Sequence, residues 1–152
     1  MSKRMVFMGA GAVGGYVGGH IARTGDDVTL IDPWPEHIEY ITHHGIHLSG
    51  TQGEHTVRLR ALHRHEVQSL FKEPVDISFI CTKSYDTEWA TMTINEYLAP
   101  NGFVVSLQNS ILVTAKGEEV GIPALTHAAL TEVVKRVERG EIEAHPRNVE
   151  TL

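Results

Sequence analysis

Gly9, Gly11 and Gly14 stand in a G-x-G-x-x-G spacing within "MVFMGAGAVGGYVGG", directly after a short apolar run and before a segment of helical period. Each position meets a separate physical demand. The first glycine permits a tight turn, the second lets backbone approach a bulky anion, and the third lets the following helix pack close to the strand. A helix starting there offers free N–H groups and the positive end of its dipole to a phosphate. Asp32 stands 18 residues past Gly14, closing the apolar run "VTLID", where a carboxylate meets the hydroxyls of an adenosine ribose. Strand, spacing and acid agree on a dinucleotide, with Gly9, Ala10, Gly11, Ala12, Val13 and Gly14 cradling its pyrophosphate. The alternative is a glycine-rich helix packed on a sheet with no ligand. Gly15, Gly18 and Gly19 each weaken that helix by about 1 kcal/mol relative to alanine, and close packing against a neighbour would offset this.

Asp32 also bears on which dinucleotide. A 2′-phosphate near its carboxylate meets like-charge repulsion. From Pro33 to Val57 there is no Arg or Lys to relieve it, and His37 is the nearby candidate for partial relief. NADH is therefore expected over NADPH.

Two further constellations carry chemistry. "CTKSYD" places Lys83 just beyond the carboxyl end of a third apolar run, and open parallel sheets bind ligands at that edge. A cation there could hold a substrate carboxylate or stabilise the alkoxide formed when hydride reaches a ketone carbon. A solvated surface lysine is the bland alternative. "SLQN" ends the next run, so Gln108 and Asn109 could face the nicotinamide or substrate, or serve as simple turn residues.

The elements that must position these groups follow from periodicity. Met5 to Met8 reads as a strand, and Val13, Val17 and Ile21 recur at helical spacing until Gly25. "VTLID" is a second strand closed by Pro33, followed by a helix through Ile38 and Ile41. Gly45 to Arg60 reads as two short strands in an edge ribbon. "VDISFICT" (75 to 82) and "FVVSL" (103 to 107) read as strands covered on both faces. Between them Asp86 caps a helix carrying Trp89, Met92 and Leu98, stopped by Pro100 and Gly102. Strands alternating with helices imply an α/β fold, a Rossmann-like, mainly parallel sheet with flanking helices. A C-terminal α-helical segment follows, with Leu125, Ala129, Leu130, Val133, Val134 and Val137 on one face and Gly140 as its stop. The tail after it is polar and reads as extended or partly disordered. The expected organisation is a dinucleotide-binding domain over residues 1–109 and a helical segment over 110–152.

Composition narrows the class. With 152 residues, 41% hydrophobic and 21% charged, the chain has the makings of a globular domain. Its net charge of −6 disfavours nucleic acid and anionic membrane as partners. A single cysteine, Cys81, sits in an apolar run and cannot form an internal disulfide, which fits a reducing, cytoplasmic setting. No apolar stretch reaches the ~20 residues that span a bilayer, and glycines interrupt the N-terminal run that superficially resembles a signal peptide. Ten histidines raise a metal alternative, through "HRH" (63 to 65) and "HHGIH" (43 to 47). No cysteine or acidic cluster completes a recognisable site, so no metal is expected.

"MVFMGAGAVGGYVGGHIARTGDDVTLID", "CTKSYDT" and "VVSLQN", in this order, resemble the N-terminal domain of ketopantoate reductases (2-dehydropantoate 2-reductases) over roughly residues 3 to 109. The resemblance implies NAD(P)H-dependent reduction of a 2-keto acid, in the type enzyme ketopantoate to pantoate on the route to pantothenate. It implies pyrophosphate contact by Gly9, Gly11 and Gly14, cofactor or substrate contact by Lys83, and a place at the reacting end for Asn109. Two departures stand out. Ser110 follows Asn109 where the family typically has glycine, and Asp32 stands where the family commonly has a basic residue reading NADPH. Family resemblance thus favours NADPH and Asp32 favours NADH, which points to a relative acting on another 2-keto acid.

"KGEEVGIPALTHAALTEVVKRVERGE" resembles the last helices of the same family's C-terminal domain, so the chain is expected to be truncated, passing from the end of one domain to the end of the next. In the family the intervening helices contribute a general-acid lysine, an acidic substrate-binding residue and most of the substrate cleft, and no residue here matches those positions. The implied outcome is a dinucleotide binder that reduces keto acids poorly alone, or a non-catalytic dinucleotide-binding module. The apolar face of the closing helix would be covered by its own sheet or by a second copy, which makes a homodimer the expected assembly.

Overall fold

In a computed structural model of the protein, residues 3–50, 53–108, 132–133 and 135–143 are described. The chain divides into two compact units, Met1–Gln108 and Asn109–Leu152. The first begins with strand β1 (Arg4–Met8), helix α1 (Ala12–Arg23), strand β2 (Asp27–Asp32) and helix α2 (Pro35–His44). A hairpin of β3 (Ile46–Gly50) and β4 (Gly53–Val57) follows, then β5 (Arg60–His63) and a 3₁₀ helix, Arg64–Lys72. Strand β6 (Val75–Ile80), a short 3₁₀ turn (Ser84–Asp86), helix α3 (Thr87–Asn95) and strand β7 (Leu98–Ser106) complete it.

The main sheet has the order β5-β2-β1-β6-β7, and every pairing in it is parallel. This is a Rossmann-like sheet with helices on both faces. Alternation along the strands assigns the two faces. Met5, Phe7, Val28 and Leu30 pack with Ile38 and Ile41 of α2 and with Ile46, Leu48 and Val57 of the hairpin. Val6, Met8, Ile31 and Ile80 pack on the other face with Val67 and Leu70 of the 3₁₀ helix and Ala90 and Ile94 of α3. The rings of Phe7 and Phe79 stack at 4.5 Å across neighbouring strands.

Five local expectations change. Strand β7, expected to be covered on both faces, is an edge strand with Phe103 and Val104 exposed. The ribbon is not an edge of the main sheet but a separate antiparallel pair packed on α1, and the sheet edge on that side is β5. The buried stripe of α1 is Gly14, Gly15, Gly18 and Gly19, while Val13 is exposed. Those glycines make room for neighbours: a Cβ on Gly15 would lie 2.7 Å from Ile46 Cδ1, and one on Gly19 2.7 Å from Leu48 Cδ2. Helix α3 stops at Asn95, and Leu98 pairs with Val75 as the start of β7. Pro100 and Gly102 therefore lie inside a strand rather than ending a helix. An edge strand tolerates proline because one side of it needs no ladder hydrogen bond, and the pairing shifts register between Val75 and Ile77. Finally, Asp86 precedes α3 without a side-chain capping bond.

In the second unit, the described residues from Glu132 to Glu138 are helical, with Val133 and Val137 half-buried. The helix ends at Gly140, whose φ is +71°. Gly140 N–H donates to Val137 O at 2.9 Å and Glu141 N–H to Arg136 O at 2.9 Å, a Schellman closure. Leu125, Ala129, Leu130, Val134 and the polar tail from residue 144 on lie outside the described residues.

Candidate functional site

The three glycines of the loop have three different geometric reasons. Gly9 has φ of +106°, and a Cβ there would come within 3.0 Å of Cys81 C and Thr82 N. The loop is thus pressed against the carboxyl end of β6, and Gly9 N–H donates to Ile31 O at 2.7 Å. Gly14 passes directly over Gly9: a Cβ on it would fall 1.9 Å from Gly9 O. Gly11 faces nothing within 4 Å. It is the N-cap of α1, makes no side-chain capping bond, and no acidic residue occupies the first turn. Exposed Ala12 and Val13 continue that first turn. An open approach to uncapped helix-start amides fits a phosphate group.

Asp32 ends β2 beside this loop. Its Oδ2 accepts the Ala10 N–H at 2.8 Å and its Oδ1 the Trp34 N–H at 3.0 Å. A carboxylate has about four lone-pair sites, so two remain for a ligand hydroxyl. A cleft of about 460 Å³ opens here between Gly11, Ala12, Asp32, Trp34 and the hairpin residues Ile46 to Ser49. The residues present therefore fit a pyrophosphate with an adjoining ribose.

Of the rest of the wall, His37 was expected near Asp32 from the sequence, while its contacts, His47 and Tyr16 were not. His37 donates from Nε2 to Ala10 O at 2.9 Å and stacks on Trp34, so its ring braces the loop. His47 and Tyr16 also line the cleft. The hairpin carries His47 into place through contacts with α1, and the only local sign of that approach is the pair Gly15 and Gly19, one helical turn apart.

Lys83 is exposed at the carboxyl end of β6 and is the N-cap of the 3₁₀ turn Ser84–Asp86. It follows Thr82, whose N abuts Gly9, so the Lys83 turn and the glycine loop meet at one sheet edge. Gln108 is half-buried, with its amide hydrogen-bonded to this same turn. Asn109 lies outside the described residues. Burial pushes the Cys81 thiol up to about 12, so it stays protonated at neutral pH and is no nucleophile. The His63 and His65 rings contact each other through their Nδ1 atoms. Among the described residues no group of three or more potential ligands could hold a metal. No helix among them is long and apolar enough to cross a membrane.

A protein-family model, ketopantoate reductase PanE/ApbA, matches residues 5–147. A 2-dehydropantoate 2-reductase of Lactococcus lactis is 32% identical over 108 residues, 71% of this chain and 34% of that protein. The chain thus spans about a third of the length of this curated relative. Among solved structures, a PanE/ApbA family ketopantoate reductase from Ralstonia eutropha superposes with a TM-score of 0.66 at 32% identity. That match covers 77% of this chain and 38% of the other. A D-mandelate dehydrogenase in complex with NADH superposes with a TM-score of 0.61 at 26% identity, covering 79% of this chain and 36% of that one. The family model runs through both units, and the fold of the parallel sheet is shared with these structures, so the chain belongs to the ketopantoate reductase PanE/ApbA family.

Proposed function

We propose that the chain binds a nicotinamide dinucleotide at the glycine loop and belongs to an NAD(P)H-dependent 2-keto acid reductase. The observation that carries this reading is at Gly11: open space where a Cβ would stand, at the uncapped start of α1, beside the Asp32 carboxylate. The bound dinucleotide supplies the hydride. Asp32 receives the ribose hydroxyls and favours NADH by repelling a 2′-phosphate. The Lys83 ammonium, at the carboxyl edge of β6, contacts the dinucleotide and steadies the substrate carboxylate or the alkoxide, and Asn109 serves the same end of the site. A second copy covers the apolar face of the C-terminal helix.

A second reading is a dinucleotide-binding module without turnover, a chain that spans about a third of the length of the Lactococcus lactis relative. Loss of a positioned general acid costs ~10²- to 10⁴-fold in rate, so turnover by this chain alone is expected to be slow.

The test is a titration with NADH and NADPH, read by the fluorescence of Trp34, whose residue is 61% exposed in the cleft. Saturable binding, tighter for NADH, is expected. Failure of both to bind would remove the reading, and tighter NADPH binding would remove the role given to Asp32. Rapid reduction of ketopantoate by the isolated chain would reject slow turnover and the module alternative together. A monomer in sedimentation equilibrium at micromolar concentration would reject the dimer.

A further inference from the structure

The turn that carries Lys83 is gripped from two sides. On one side Gly9 stands against Cys81 and Thr82, with no room for a Cβ between them. On the other, Gln108 reaches back from the end of β7. Its Nε2 donates to Thr82 O at 2.9 Å and to Thr87 Oγ1 at 2.8 Å, with Lys83 O at 3.4 Å. Thr87 Oγ1 in turn lies 2.8 Å from Ser84 O and 3.0 Å from Gln108 Oε1. Its single proton serves one of these, and its lone pairs accept from Nε2. Asp86 N–H closes the turn onto Lys83 O at 2.9 Å. Gln108 is itself anchored, its N–H donating to Ser106 Oγ at 3.3 Å, and Leu107 N–H continues the sheet onto Ile80 O at 2.9 Å.

We infer that Gln108 is the positioning residue of Lys83: its side-chain amide sets the turn that begins at Lys83, and with it the point from which the ammonium reaches the dinucleotide. The inference rests on the dinucleotide reading for the task of Lys83. A primary amide suits this position because both its donor and its acceptor ends meet partners. Glutamate would keep the acceptor end only, and methionine would keep neither at similar volume.

The test joins a double-mutant cycle on NADH affinity, using Lys83→Met and Gln108→Met, with amide hydrogen exchange of the free protein. Each single substitution is expected to weaken NADH by about three- to tenfold. The double variant should lose no more than the weaker-binding single variant, because Gln108 acts through Lys83. The Asp86 amide should exchange at least about tenfold faster in Gln108→Met while β1 keeps its protection, which separates loosening of the turn from global unfolding. Should Gln108→Met also lose protection in β1, Gln108→Glu carries the same expectation, since it removes the donations to Thr82 and Thr87. Additive losses, unchanged NADH affinity in either single variant, or unchanged exchange at Asp86 overturns the inference. If the wild-type chain binds no NADH, the dinucleotide reading falls by itself, and exchange at Asp86 alone decides whether Gln108 holds the turn.

Discussion

β1 is paired on both sides and its Val6, Phe7 and Met8 expose nothing, whereas β7 is an edge strand that leaves Phe103 54% exposed. The candidate site has one end after β1 and the other after β6, where Gln108 reaches it from the end of β7. At the glycine-loop end, position is set by backbone sterics and core packing: Gly14 crosses Gly9 with no room for a methyl group, and Asp32 ties β2 to the loop through the Ala10 N–H. At the Lys83 end, position depends on one side-chain amide spanning two strand ends. The difference teaches that the glycine-loop end tolerates little change, while the Lys83 turn can be re-aimed by a single substitution. A scaffold of this kind keeps one end of a site fixed while the other end varies.

The largest expected effect tests the rigid end. Gly14→Ala forces a Cβ against Gly9 O and should cost about 1–3 kcal/mol in urea unfolding together with NADH binding. Gly11→Ala meets open space and should cost less than about 1 kcal/mol of stability while still weakening NADH at least about tenfold. Similar stability losses in the two variants would break the distinction between a steric and a ligand-facing glycine.

Next comes Asp32→Asn, which leaves one carbonyl oxygen for two N–H groups and sets an amide NH₂ against the other. A stability loss of about 1 kcal/mol is expected, with NADH weakened relative to NADPH when both are titrated. An unchanged affinity ratio would deny Asp32 its part in selectivity.

A smaller pair of effects compares the halves directly. Thr29 in β2 and Ser78 in β6 both stand in register with Val6, and their buried hydroxyls have no hydrogen-bond partner. Thr29→Val conserves volume and should raise stability by about 1 kcal/mol by calorimetry, whereas Ser78→Ala leaves a small void and should gain less. Destabilisation by Thr29→Val would mean that its hydroxyl finds a partner in solution.

The smallest effect lies where the halves are stitched at the other end of the sheet. The Arg4 N–H, donated to Asp76 at 2.9 Å, holds that carboxyl below its ordinary value of 3.8, with the Lys3 and Arg4 charges adding to it. Because the folded value is the lower one, this contribution is complete above about pH 4 and is lost as pH falls through the folded value. Asp76→Asn should therefore flatten the acid limb of a stability-against-pH curve below pH 4. An unchanged limb would assign acid sensitivity elsewhere.

Much of the fold was legible because its signals are local. Apolar runs, the glycine spacing and the punctuation by Gly25 and Pro33 each act within one strand or one turn, and β1, α1, β2, α2 and β6 lie close to where those signals place them. The errors fall where a distant partner decides. Leu98 has a helical spacing from α3, yet pairing with Val75 draws it into β7. Val13 continues an apolar stripe, yet it is exposed, and where α1 comes nearest to the hairpin, β1 and β2 it presents Gly15, Gly18 and Gly19. β5 is four residues long, too short for a pattern of its own, and is a strand because the edge of β2 offers it a ladder.

The candidate site divides along the same line. Gly9, Gly11, Gly14 and Asp32 could be read from the sequence, since a tight turn, a helix start and a strand end each depend on the residues that form them. So could the place of Lys83 at a strand end. Only the tertiary structure decided that Ile46 to Ser49 wall the cleft, that His37 braces Ala10, and that Gln108 grips a turn 25 residues earlier in the chain. Those contacts depend on how elements pack and in what register, and no periodicity within a single segment encodes either.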